Sequence, residues 1–179
     1  MAVERLLLVG MMGVGKTTVG RMVARRLGWL FVDSDKWVED QSGQSVKALF
    51  ASSGEAGFRE VETRALQQIV SGTVPVVVAV AGGAVLDPGS RALLQDSGTV
   101  VWLRAKPVTL TNRVGSGAGR PLLSDGDPGV ALASLDAFRR PLYEEVSDAT
   151  VDVDDLSAEQ VMGQVLAAMR ALQPAEEST

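Results

Sequence analysis

Residues 10–19 read G-M-M-G-V-G-K-T-T-V. Gly10, Gly15, Lys16 and Thr17 stand at the fixed positions of G-x-x-x-x-G-K-[ST], a loop that cradles phosphates. The flanks fit: Arg5–Val9 predicts a short apolar strand, and Val19–Leu27 a helix with Val19, Met22, Val23 and Leu27 on one face. Glycines let successive N–H groups turn inward around an anion. The helix that follows aims its unpaired N–H groups and partial positive charge at the same point. Lys16 supplies a mobile charge for the β- and γ-phosphates, and the Thr17 hydroxyl can ligate Mg²⁺. Gly13, Val14, Gly15, Lys16, Thr17 and Thr18 thus form a predicted nucleotide-phosphate site.

Strand and helix patterns alternate along the rest of the chain. Further strands are predicted at Trp29–Val32, Val74–Val80, Thr99–Leu103 and Thr150–Val153. Helical material is predicted at Lys36–Gln41, Ser45–Ser53, Gly57–Ser71, Pro88–Gln95, Pro107–Val114, Val130–Val146 and Ala158–Leu172. The β-branched run Val74–Val80 reads as a central parallel strand covered on both faces. The pattern implies a three-layer α/β/α sandwich around a parallel sheet of about five strands, with ligands at the carboxyl ends of the strands. A single domain is expected to about residue 173, followed by a polar tail over 174–179. Residues 115–129 are rich in Gly, Ser, Asp and Pro and carry the isolated Arg120, which suits a lid over phosphates.

Composition removes several kinds of chemistry. Cysteine and histidine are both absent, so disulfides, thiolate nucleophiles, Cys/His zinc sites and imidazole acid–base catalysis are excluded. A general base must come from Asp, Glu, Lys or Tyr. The net charge of −5 and the lack of a basic cluster argue against nucleic acid as a partner. No apolar run reaches membrane-spanning length, and strand one begins too early to leave room for a signal peptide. A cytoplasmic protein without a membrane partner is the expectation.

Asp33-Ser34-Asp35 ends the second predicted strand. Side chains two apart in an extended segment share a face, so both carboxylates are expected to face the site. Two roles need filling there, holding hydrated Mg²⁺ and accepting a proton from an attacking hydroxyl. The end of the Val74–Val80 strand has no aspartate, so Asp33 takes the metal role with Thr17, and Asp35 is the candidate base. A helix cap is the plainer meaning of an aspartate here. Arg59 and Glu62, three apart, can pair on one helix face, which is more often a surface salt bridge. Arg139-Arg140 reads equally as a solvated basic turn. Together, Arg59 and Arg139 suit forked recognition of a carboxylate.

The ordered set of motifs resembles the shikimate kinases, of the nucleoside-monophosphate-kinase-like branch of the P-loop proteins. It comprises G-x-x-G-x-G-K-T-T-x-G-R at 10–21, D-S-D at 33–35, F-R-x-x-E at 58–62, G-G-A at 82–84, R-P-L-L at 120–123 and R-x-P-L-Y at 139–143. The resemblance implies ATP-dependent, Mg²⁺-assisted phosphorylation of the 3-hydroxyl of shikimate in aromatic amino-acid biosynthesis, by a protein that is usually a monomer. It implies that Asp35 contacts the reacting hydroxyl, and that Arg59 and Arg139 hold the substrate carboxylate. Gly82, with Gly83, would touch the substrate through backbone. Lys16 and the lid residue Arg120 would neutralise phosphate charge, with Arg113 packed on adenine and 152–157 completing the adenine pocket. The family's three-glycine turn is Ala81-Gly82-Gly83 here. That change matters if the first position needs a positive φ, and is harmless if its backbone is ordinary. Three other readings stay open: a gluconate- or cyclitol-type kinase of the same fold, a GTPase-type switch, and an inactive homologue. The switch is disfavoured because the sole asparagine, Asn112, forms no N-K-x-D motif.

Overall fold

The computed structural model describes residues 3–114 and 127–172. Five strands, β1 (Arg5–Val9), β2 (Leu30–Asp33), β3 (Val76–Ala79), β4 (Thr99–Arg104) and β5 (Ala149–Asp152), form one parallel sheet in the order β2-β3-β1-β4-β5. Seven helices connect and cover them: α1 (Lys16–Leu27), α2 (Ser34–Ser42), α3 (Val46–Val70), α4 (Pro88–Ser97), α5 (Pro107–Val114), α6 (Pro128–Val146) and α7 (Ala158–Leu172). Helices α1 and α7 pack together, while α4 contacts both α3 and α6. The three-layer arrangement expected from the alternating pattern is therefore present. Every residue of β3 is buried, as are Leu6–Val9 of β1 and Val100–Leu103 of β4. A strand covered on both faces needs apolar side chains on both faces, which explains these unbroken runs.

Several boundaries differ from the sequence reading for identifiable reasons. Helix α1 begins at Lys16, inside the phosphate loop, because Gly15 takes φ 104° and turns the chain directly into the helix. The β3 strand is shorter than the apolar run from Val74 and follows Pro75. The two helices expected at Ser45–Ser53 and Gly57–Ser71 are both present within α3, which is broken by the non-helical backbone of Gly54 (φ 68°, ψ −179°). That left-handed φ is one glycine adopts at little cost. Aspartates cap three helices, Asp33 on α2, Asp87 on α4 and Asp127 on α6, the last two followed by proline at the first helical position.

Among the described residues, no helix is long and apolar enough to cross a membrane. Of the expected lid, only 127–129 are described, and 128–129 already belong to α6; 115–126 and the tail lie outside the described residues. Register decides what lies at the carboxyl edge: Asp33 pairs with Ala79, and Ala79 with Leu8. The ends of β2, β3 and β1 thus stand side by side. Leu7, fully buried in β1, tests the central packing. Leu7→Ala should lower the unfolding free energy by about 2–5 kcal/mol, read as a reduced urea midpoint with an unchanged m-value.

Candidate active site

At that edge a cavity of about 520 Å³ opens between the phosphate loop, α2, α3 and α6. Its nucleotide end is lined by Gly13, Gly15, Lys16, Thr17 and Thr18. Gly10 and Gly13 have φ of 139° and 79°, so the loop depends on glycine at both points. A side chain on Gly10 would run into the backbone oxygen of Leu103. Lys16 Nζ donates to the carbonyl oxygens of Gly10 (2.7 Å) and Met11 (3.1 Å), bracing the loop from within. Val14 does not line the cavity; it is buried and its N–H donates to Met11 O.

The Asp33-Ser34-Asp35 segment is built differently from the extended reading. Asp33 ends β2, but Ser34 and Asp35 are already the first turn of α2. The two carboxylates nevertheless reach one cavity, because the strand end and the helix start both face it. Asp33 serves as cap and site residue at once. Its Oδ1 accepts from the N–H groups of Asp35 and Lys36, while its Oδ2 accepts from the Thr17 hydroxyl at 2.6 Å. Asp35 is exposed on the open cavity, yet desolvation by the surrounding protein raises its carboxyl above the ordinary range. Lys16 and Arg59 oppose that rise; Asp33 and Glu39 add to it.

Two arginines from different helices line the other end of the cavity. Arg59, on α3, is flanked by Phe58 below its guanidinium and pairs with Glu62 through Nη1 and with Glu55 through Nη2 at 3.3 Å. Arg139, on α6, is only 2% exposed. The neighbouring Arg140 turns the other way, to Asp136 at 2.6 Å and the face of Trp102. Neither arginine is the solvated surface residue that its spacing alone suggests. Among the described residues, the buried Nε atoms of both Arg59 and Arg139 have no acceptor. A buried guanidinium with unmet donors is costly without an anion. Burial also pushes the Glu62 carboxyl up to about 7, with Arg59 and Arg139 pulling it down and Asp35 adding to the rise.

The turn after β3 forms the wall between the two ends. Among the described residues Asp155 is the one non-glycine with positive φ, so the backbone at Ala81 is ordinary and tolerates a methyl group. Gly82 and Gly83 line the cavity. Gly83 leaves room for the Arg59 guanidinium, which would overlap any Cβ placed there. Arg113 lies outside the cavity lining and donates to Val14 O (3.3 Å) and Val153 O (3.2 Å), tying the phosphate loop to the segment after β5. In that segment Asp154 accepts from the Lys106 N–H and the Thr109 hydroxyl at the start of α5. Arg120 lies outside the described residues.

Sequence reasoning passed over two groups that hold this wall, Ser34 and Tyr143. Ser34 Oγ accepts from the Ala81 N–H at 2.8 Å, and the Tyr143 hydroxyl donates to Gly82 O at 2.6 Å. The signals were present: Ser34 is the middle of D-S-D, and Tyr143 falls one helical turn after Arg139.

A family model for shikimate kinase matches residues 12–170. The chain belongs to the shikimate kinase family. It is similar to the shikimate kinase of Ralstonia nicotianae, 43% identical over 166 residues that cover 93% of this chain and 87% of that one. Among solved structures, shikimate kinase from Acinetobacter baumannii in complex with shikimate superposes with a TM-score of 0.91 at 35% identity, covering 96% of each chain. A gluconokinase from Sinorhizobium meliloti reaches 0.63 at 19% identity over 94% of this chain and 93% of that one, a likeness of fold alone. Family membership makes this chain an ATP-dependent kinase with the P-loop kinase fold.

The Glu62 environment gives a signed pH test. A carboxyl raised from 4.5 to about 7 on folding binds its proton more tightly in the folded state. Its contribution to stability is full below pH 4.5 and is lost as pH rises through 7. Urea unfolding from pH 5 to pH 8 should therefore favour Glu62→Gln progressively over the parent, by on the order of 1–3 kcal/mol across the range. A pH-independent difference would remove Glu62 from this account.

Proposed function

We propose that this chain transfers the γ-phosphoryl group of ATP to the 3-hydroxyl of shikimate, with the residues of the cavity in the following roles. The observation that carries the acceptor assignment is the pair Arg59 and Arg139, two largely buried guanidinium groups that share one cavity with Lys16 and Asp35. A small carboxylated alcohol supplies what they lack. The shikimate-bound relative from Acinetobacter baumannii, alike over almost the whole chain, supports the same reading.

ATP enters with its phosphates against the N-terminus of α1 and the N–H groups of the glycine loop. Lys16 then exchanges the Gly10 and Met11 carbonyls for β- and γ-phosphate oxygens. Arg59 and Arg139 fix the substrate carboxylate, which orients the ring so that its hydroxyl lies beside Asp35. The hydroxyl oxygen forms the new bond to phosphorus as the bond to ADP breaks, and its proton passes to Asp35. A carboxylate with a raised pKa is the better proton acceptor near neutral pH. Little covalent work is asked of the protein; its contribution is positioning and charge neutralisation. Arg120 and the rest of 115–129 are proposed as the lid that adds positive charge and excludes water.

Magnesium fits the same arrangement. The Thr17 hydroxyl and the Asp33 carboxylate stand together at 2.6 Å, oxygen donors suited to a hard cation that keeps much of its water. Among the described residues no group of three or more acidic side chains could hold a metal, so the ion would arrive with the nucleotide. When bound it neutralises phosphate charge. The Arg113 contact with the loop after β5 supports the adenine site there.

ATP consumption measured with shikimate, gluconate and nucleoside monophosphates separates the acceptors. Turnover should appear with shikimate, and its absence rejects the proposal. Arg59→Ala or Arg139→Ala should raise the shikimate KM far more than the ATP KM; equal rises would contradict the clamp. Asp35→Asn should reduce kcat by at least about a hundredfold, the low end of general-base effects, while ATP affinity stays close to that of the parent.

A further inference from the structure

The Ala81–Gly83 turn is held by hydroxyl groups of two other elements. On one side, the buried Ser34 at the start of α2 takes the Ala81 N–H; on the other, Tyr143 of α6 donates to the Gly82 carbonyl at 2.6 Å. Between these anchors, the N–H groups of Gly82 and Gly83 have no acceptor among the described residues.

Tyr143 itself is fully buried, with its ring stacked on Trp102 at a centroid distance of 5.8 Å. Its oxygen lies 3.7 Å from Met11 Sδ, beside the phosphate loop. A Cβ placed on Gly82 would lie 3.2 Å from Gly10 O, 3.5 Å from Tyr143 Oη and 3.7 Å from Arg139 Nη1. Phosphate loop, turn and clamp arginine thus converge around one phenol. Burial pushes that phenol up to about 12, with the positive charge of Arg139 opposing the rise. The hydroxyl therefore keeps its proton at neutral pH and remains a donor to Gly82.

We infer that Tyr143 is a positioning residue for the phosphoryl acceptor, its hydroxyl fixing the Gly82–Gly83 peptide next to the Arg139 guanidinium. In a trans peptide the C=O and N–H point to opposite sides, and none of the described peptides is cis. Holding Gly82 O against Tyr143 therefore turns the Gly83 N–H away from α6. One phenol thus sets a backbone donor for the carboxylated alcohol that Arg139 is proposed to hold. This inference rests on the shikimate reading above.

Tyr143→Phe removes a single oxygen and keeps the ring on Trp102. The shikimate KM should rise about tenfold, the loss of roughly one hydrogen bond, while the ATP KM stays within twofold of the parent. A shikimate KM within twofold of the parent, or equal rises for both substrates, overturns the inference. Should the variant not fold, the parent offers a second route, because Tyr143 is the only tyrosine in the chain. Incorporated 3-fluorotyrosine should give one fluorine resonance that shifts as shikimate is titrated and saturates with shikimate occupancy. A resonance unmoved at saturating shikimate overturns it. A parent that does not turn over shikimate rejects the substrate reading itself, whereas a fully active parent with an unaffected variant rejects only the role of Tyr143.

Discussion

Parallel pairing of β2, β3 and β1 is the constraint on which the rest of this site depends. Parallel strands end on the same edge, and here the register brings Asp33, Ala79 and Leu8 into line across three strands. The aspartate segment begins on that line, and the phosphate loop and the glycine turn begin two residues beyond it. Each can then be joined to the next by short polar bonds. Thr17 reaches Asp33, Ser34 reaches Ala81, and Lys16 reaches back over its own loop. A one-residue slip in any strand would reverse its side chains and break this chain of bonds.

Charge in the cavity is balanced in number, three cations to three carboxyl groups. Lys16, Arg59 and Arg139 face Asp33, Asp35 and Glu62 across the same walls. Desolvation raises the carboxyls of Asp35 and Glu62, and the cations restrain that rise. The donors left over are on the arginines, not on the acids. The cavity is thus biased toward an incoming anion at the arginine end, as the phosphate loop is at the other.

Much of this was legible in the chain. The phosphate loop and the unbroken apolar strands announce themselves because each reflects a local demand, close backbone approach in one case and two-sided burial in the other. The arginine pair was legible as a suggestion only, since its spacing is equally that of a surface salt bridge. Its meaning depends on α3 and α6 facing each other, which is tertiary information. Asp33 and Asp35 were assigned to one cavity for the wrong local reason. They reach it through a strand end and a helix start, because capping by Asp33 begins α2 at once. Ser34 and Tyr143 lie inside recognisable motifs, but what they bond is not legible there, because their partners are backbone groups, 47 and 61 residues away. Backbone groups carry no mark in a sequence.

The Arg59 guanidinium occupies the space where residue 83 would carry its first side-chain atom. That end of the cavity is therefore defined partly by a missing group. Glycine at this position acts as a mould: it sets how far the arginine can advance from α3 and so how much depth remains in the cavity. Room here is governed by backbone left bare as much as by the side chains that line it.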